Sequence, residues 1–373
     1  MSSNQRVLIA PCSYKGSIAA PALAEVIAKE AERCGFDTIS APFADGGDDT
    51  VNCLKAALAP DSKIIQKDVT GPLGAVVRAS YLIAGEEAVV ELASASGIAH
   101  LQPQELDGLR AQTIGLGELI KDAIERGLKK IYVTLGGSAS TDGGAGCLRV
   151  LGARFLNKDD NDIGCGGISL LDLVRVDLTV LDKTVAGVQF YVVSDVTNPL
   201  TGEFGAAAVF GPQKGLSPQD VPVLDQALSN FAATLERTLG TDSSLRTRPG
   251  AGSAGGAGYG LSLLLKAPII SGFDWLFDKL SLAEKMDLCD MVVVAEGCLD
   301  SQSLSGKGVG RLIALAKSKG KKVIAMPAVT ELTAASVGID ILAPTANQAM
   351  KAPAGLADVG RVAGLVFSEL KND

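Results

Sequence analysis

Continuous apolar runs closed by Gly, Pro or Ser alternate with helical patterns at both ends of the chain. Arg6–Pro11 reads as a buried strand, followed by a Ser/Lys/Gly turn and an Ala-rich helix over 19–34. Residues 38–42 form the next expected strand, leading through an Ala-Asp-Gly-Gly turn into a helix over 51–58. The same alternation returns late, with strands at Met291–Ala295, 322–326 and 338–342 and a helix over 309–319. Strands without polar alternation, separated by helices, predict a parallel sheet covered on both faces.

The middle of the chain has a different rhythm. Short strands are expected at 64–69, 76–82 and 88–91, with the turn Gly71-Pro72-Leu73-Gly74 after the first. A helix over 114–126, strands at 130–135 and 188–193, and an amphipathic helix over 224–239 follow. Gly-rich turns punctuate this section at 136–146, 164–167 and 250–260. The pattern predicts an α/β protein of two domains: a parallel, Rossmann-like sheet domain built from both chain ends, residues 1–70 plus 286–373, and an inserted α/β domain over 71–285. A cleft between two domains is the expected ligand site.

Length supports the division, since 373 residues exceed one ordinary core. The 47% hydrophobic content excludes extended disorder, while 4% aromatics and 43 glycines predict a core of Ala, Val, Leu and Ile. The charge balance is 34 − 42 = −8, so no basic face is available for nucleic acid or an anionic membrane. A small anionic substrate remains compatible, because a few cations and backbone N–H groups can hold one. The seven cysteines form no C-x-x-C pair, and a single histidine leaves little scope for a Cys/His metal cage or a histidine relay. The N-terminal apolar run reads as a first strand rather than a leader, and no apolar run reaches the ~18 residues expected of a membrane span. A reduced, cytoplasmic protein, with a homodimer possible, is expected.

The chemistry is concentrated in turns. Ser13-Tyr14-Lys15-Gly16-Ser17, Asp45-Gly46-Gly47, the stretch 136–144, Asp195-Val196-Thr197-Asn198-Pro199, the stretch 249–258 and Glu296-Gly297-Cys298-Leu299-Asp300 each combine glycine with polar side chains. In parallel sheets ligands bind beyond the carboxyl ends of strands, and glycine turns entering helices aim N–H groups at phosphate. Any one such turn could simply need positive φ; six together point to an enzyme that handles phosphate. No Walker A string is present, since Leu304-Ser305-Gly306-Lys307-Gly308 lacks its first glycine and its Ser/Thr. Gly250-Ala251-Gly252-Ser253-Ala254-Gly255 matches G-x-G-x-x-G but follows a helix and loop, not a strand.

Taken in order, these motifs resemble the bacterial-type glycerate kinase family, whose members phosphorylate D-glycerate with ATP. The family string PDSFKGS is similar to Pro11-Cys12-Ser13-Tyr14-Lys15-Gly16-Ser17, and ADGGEGT to residues 44–50. GPLG appears at 71–74, ASG at Ala95-Ser96-Gly97, and GGSATNDGG is matched by 136–144. DVTNPL stands at 195–200, FGPQKG at 210–215, a PGAGAAGG-like string at 249–256, and a GEGxxDxQTxxGK-like pattern at 295–307. Cys12 stands where the family has Asp, Asp49 where it has Gly, Thr141 where it has Asn, and Ala295 where it has the first Gly of GEG. Pro327-Ala328 replaces a usual Gly-Ser.

The resemblance implies phosphoryl transfer from ATP, with Mg²⁺, to a hydroxyl of D-glycerate, giving 2-phosphoglycerate; another small hydroxy acid as acceptor, or an inactive ligand-binding relative, are the alternatives. Such transfer requires cations around the phosphates, carboxylates for Mg²⁺ and an oriented acceptor hydroxyl. Asp195, Lys15 and Asp45 are the candidate catalytic groups, and Ser13, Lys214 and Asn198 the candidate substrate-binding groups. Gly137, Ser138, Ser140, Asp142, Gly255, Gly256 and Lys307 are candidates for nucleotide or phosphate contact, and Asp195 and Asp300 for the metal. Bland roles compete: Asp195 could close a turn, Asp300 cap a helix, and Lys15 and Lys214 lie in water. His100 reads as structural, and Cys12 has no nearby His to activate it.

Overall fold

The computed structural model describes residues 5–44, 47, 49–58, 62–304, 308–346 and 354–372. The chain divides into two compact units, one of Met1–Asp45, Asn52–Ala59 and Phe273–Asp373, the other of Gly46–Val51 and Pro60–Gly272.

The first unit is built on five strands, in spatial order Ile341–Leu342, Lys322–Ala325, Met291–Ala295, Arg6–Pro11 and Asp37–Ser40. Every pairing is parallel, with Val7 opposite Met291 and Thr38. Both faces are covered, which is why the strands are apolar without alternation. Val7, Ile9, Val293 and Ile324 pack with the helices Ala20–Arg33 and Leu356–Asn372. Leu8, Val292, Val294 and Val323 are also buried and alternate to the opposite face, where the helix Gly308–Ser318 lies on the two strands it connects.

The second unit has a mixed six-stranded sheet in the order Ile269–Ile270, Gln189–Val193, Lys130–Thr134, Glu87–Glu91, Val76–Ala84 and Ser62–Thr70. The first four strands run parallel and the last two join as an antiparallel hairpin. The Gly71–Gly74 turn closes it, with the Gly71 N–H donating to the Ala75 carbonyl at 2.7 Å. The helices Ile114–Glu125, Asp220–Leu239 and Ser253–Leu264 supply much of a core that includes Tyr81, Phe155, Phe231 and Tyr259.

The α/β class and the parallel sheet made from both chain ends are as expected; the boundaries are not. Ser62–Thr70 pairs along its whole length with Val76–Ala84, so it belongs to the inserted sheet rather than the terminal unit. Residues 273–285 move the other way, and Phe273 sits edge-on against Phe43, ring centres 5.2 Å apart. Beyond residue 342, where the sequence pattern leads to no expected element, the helix Leu356–Asn372 buries Val359, Ala363 and Phe367 against Ala20–Arg33. No helix among the described residues is long and apolar enough to cross a membrane.

Candidate active site

In the first unit the parallel strands send their carboxyl ends to one edge of the sheet, and two motif turns leave from it. The Cys12 N–H donates to the Ala295 carbonyl at 2.7 Å, so these turns start side by side. Tyr14 is buried; its hydroxyl donates to the Met326 carbonyl at 2.7 Å and lies 3.0 Å from Thr345 Oγ1. Burial pushes this phenol up to about 12. With Tyr14 anchored, Ser13 is half-buried and Lys15 is exposed. A Cβ on Gly297 would lie 3.6 Å from the backbone nitrogen of Lys15, so the Glu296-Gly297 turn passes beside the Lys15 turn.

Asp300 plays the part of a cap. Its Oδ1 accepts from the Ser303 N–H at 2.9 Å at the start of the short helix Ser301–Leu304. The Ser303 hydroxyl lies 3.1 Å from Glu296 Oε2 and 3.3 Å from Asp300 Oδ1, which brings two carboxylates around one small donor. Asp45 and Lys307 lie outside the described residues. Asp49 has φ +75°, the left-handed region that the family's glycine would occupy without strain.

The second unit gathers four motif segments about one loop. Asp195 follows the strand Gln189–Val193 and is exposed; its Oδ1 accepts from the Ser271 hydroxyl at 2.8 Å and the Gly272 N–H at 3.0 Å. Asn198 is half-buried, donates to the Phe204 carbonyl at 2.9 Å and accepts the Gly252 N–H on its own carbonyl. Gly137 adopts φ +67° and accepts the Ile98 N–H on its carbonyl. Ser138 and Ser140 are buried, their hydroxyls 3.1 Å apart.

Several expected ligand contacts point inward. The Asp142 carboxylate accepts from the Thr113 N–H at 2.9 Å, the Thr113 hydroxyl at 2.8 Å and the N–H groups of Gly144 and Gly146 at 3.1 Å. It is a buried hub that shapes the turn. Gly255 and Gly256 are buried at φ +65° and +86° in the first turn of Ser253–Leu264. A Cβ on Gly255 would stand 2.2 Å from the Ser140 oxygen, so its bare Cα is what lets the two loops touch. Lys214 is 2% exposed and donates to the Ser140 carbonyl at 2.5 Å. Desolvation pulls its ammonium down to about 7, with the Asp142 charge working against that.

The residues that support these loops are not legible in the sequence. Thr113 carries no motif signal, and Tyr14 stands at a position where the family string has Phe. Glu236 and Arg246 form a partly buried pair, at 2.6 Å, to which the Tyr259 hydroxyl donates at 3.0 Å. Through the Arg246 carbonyl, which accepts the Leu200 N–H at 2.8 Å, this pair steadies the loop after Asp195. Ser96, part of the ASG string, and Thr141 have buried hydroxyls with no hydrogen-bond partner among the described residues.

Residues 7–362 match the profile of the Glycerate kinase family. The chain is 39% identical to a glycerate kinase from Haemophilus influenzae over 325 residues, covering 86% of this chain and 85% of the relative. It is 40% identical to a glycerate 2-kinase from Escherichia coli over 323 residues, covering 86% and 84%. The fold superposes with a TM-score of 0.84 on the crystal structure of a Salmonella typhimurium LT2 protein provisionally described as glycerate kinase 2, at 34% identity, over 99% of this chain and 98% of that one. With a profile match across nearly its whole length and relatives at this level of identity, the chain belongs to the glycerate kinase family.

Proposed function

We propose that this kinase transfers the γ-phosphoryl group of ATP to a hydroxyl of D-glycerate and releases 2-phosphoglycerate and ADP. The observation that carries the reading is the 40% identity, over most of both chains, to a relative that bears the name glycerate 2-kinase. The placement of Lys15, Glu296 and Asp195 on turns at the carboxyl ends of parallel strands supports it.

Asp195 is the group best placed to take the acceptor proton. Two donors fix one carboxylate oxygen while the residue stays open to solvent, so the carboxylate is oriented and reachable. As the acceptor oxygen bonds to the γ-phosphorus and the bond to the bridging oxygen of ADP breaks, the hydroxyl proton passes to this carboxylate. Lys15 and the N–H groups of its glycine turn supply positive charge to an anionic ligand. The donor set also fits Mg²⁺, which takes one or two carboxylates and keeps its other waters. Asp300 and Glu296, gathered about Ser303, are the residues that would hold it. No group of three or more His, Cys, Asp or Glu among the described residues forms a fuller cage. When bound, the ion would neutralise charge on the phosphates.

One coupled assay of ADP release with Mg-ATP tests the reading. Saturable release with D-glycerate, and 2-phosphoglycerate as the product, is the expected result. Release only with other hydroxy acids, or binding without release, overturns it. Asp195→Asn should lower turnover at least ~100-fold in a folded protein. Near-normal turnover in that variant would reduce Asp195 to closing its turn.

A further inference from the structure

The geometry points to Lys214 as a positioning residue that holds the serine-rich loop in its working shape through the Ser140 carbonyl, without touching substrate itself. The lysine ends the short turn Pro212–Lys214 of the FGPQKG string, 74 positions along the chain from its partner. Its side chain is 2% exposed, too enclosed to offer its charge to a ligand in solvent. The ammonium has three N–H donors, and among the described residues its one hydrogen-bond partner is that carbonyl, at 2.5 Å.

The same oxygen is held from other directions. Ser138 Oγ lies 3.2 Å from it, and the Cα of Gly255 abuts it so closely that a Cβ there would sit 2.2 Å away. Two residues on, Asp142 ties the far end of the loop to Thr113. The loop that presents Ser138, Ser140 and Thr141 is therefore fixed at one end by a carboxylate and at its centre by an amine. A methionine would fill the same space without the cost of burying an amine. What it cannot do is donate to the carbonyl. Burial draws the ammonium down to about 7, so near neutral pH the side chain can serve as a neutral donor.

The expected effect on turnover rests on the phosphotransfer reading above; the expected effect on the loop does not. The test compares wild type, Lys214→Met and Lys214→Gln, which keeps a neutral N–H donor. Amide hydrogen exchange is followed by mass spectrometry in the ligand-free proteins, and steady-state kinetics are measured with Mg-ATP and D-glycerate. In Lys214→Met, exchange over residues 136–146 should rise at least ~10-fold while the strand Gln189–Val193 is unchanged, and kcat should fall at least ~10-fold with the glycerate KM within about threefold. Lys214→Gln should fall between the two, and it carries the comparison if Lys214→Met does not fold. Unchanged exchange over 136–146, an even rise across both segments, or a defect confined to the glycerate KM would each overturn the proposal. A wild-type protein that does not phosphorylate glycerate would defeat the phosphotransfer reading, while the exchange data would still decide the role of Lys214.

Discussion

Lys15 and Lys214 occupy similar words in the sequence, each a lysine before a glycine at the end of a polar turn, and the structure uses them in opposite ways. Lys15 is exposed on the edge of the first unit's sheet, and the neighbouring Gly297 has 3.6 Å of clearance around the place its Cβ would take. Lys214 is sealed inside the second unit, beside a loop contact so close that a Cβ on Gly255 would stand 2.2 Å from an oxygen. The first unit offers its side chains outward from turns that have room. The second spends its glycines and its buried charges on holding one loop still. A motif thus names the loop that matters without saying whether a given residue in it meets the ligand or supports the residues that do.

A matched pair of substitutions makes the difference measurable. Gly255→Ala would force a Cβ against the Ser140 oxygen at a φ of +65°, combining backbone strain with overpacking. It should cost about 3–5 kcal/mol of stability, seen as a lower urea midpoint, and remove most activity. Among the described residues Gly297→Ala meets no atom closer than 3.6 Å, and Gly297 has no left-handed φ. Its stability should stay within about 0.5 kcal/mol of wild type. Equal losses in the two variants would erase the contrast between a packed loop and an open edge.

The sequence carries the strands and turns of this fold better than the directions of its side chains. Arg6–Pro11 and Met291–Ala295 are legible because strands buried on both faces need unbroken apolar runs. Ser62–Thr70 is misassigned to the terminal unit because the boundary expected at residue 70 cuts through a hairpin, whose Gly71–Gly74 turn joins this strand to its antiparallel partner Val76–Ala84. The final helix escapes notice although Val359, Ala363, Phe367 and Leu370 follow helical spacing, because no motif draws attention to that end. Among the candidate site groups, Asp195 and Lys15 stand where strand-end logic puts them. Asp142 and Lys214 do not face solvent, because Thr113 and Ser140, the groups that draw them inward, come from distant segments. Asp300 sits at a helix start, where capping and ligand contact require the same residue type.

Proton linkage gives a second way to sharpen the comparison. The buried Lys214 ammonium is drawn down to about 7, whereas an unfolded lysine titrates near ~10.4. Between those values the unfolded chain binds more protons than the folded one, so this group makes stability rise with pH. Below pH 7 both states are charged and the full penalty of burial is felt. Above it the penalty is relieved by up to about 1.4 kcal/mol per pH unit, until the unfolded lysine also loses its proton. Lys214→Met should show a correspondingly flatter curve between pH 7 and 9, measured by urea unfolding at each pH. Identical pH slopes in the two proteins would mean that the amine is not buried as a charge.

The smallest effect belongs to the open edge. Tyr14 is the first unit's counterpart of Lys214, a buried group that fixes a turn through a backbone carbonyl, here that of Met326 at 2.7 Å. Its ring fills a core that includes Val7, Ile9 and Met326, and a phenylalanine would fill it nearly as well. Tyr14→Phe therefore removes only the hydroxyl, leaving the Met326 carbonyl and Thr345 Oγ1 without that partner. The Thr345 hydroxyl retains the Pro327 carbonyl, 3.2 Å away, so one of the two losses is softened. The expected cost is about 1 kcal/mol, the usual net worth of a neutral hydrogen bond. The Lys15 turn keeps its own closure, since the Ser17 and Ile18 N–H groups both donate to the Tyr14 carbonyl. Turnover should accordingly change less than about threefold, against a fall of at least ~10-fold for Lys214→Met. If Tyr14→Phe instead abolished activity while the protein stayed folded, the first unit's edge would be held as tightly as the second unit's loop. The two lysines would then differ in exposure alone.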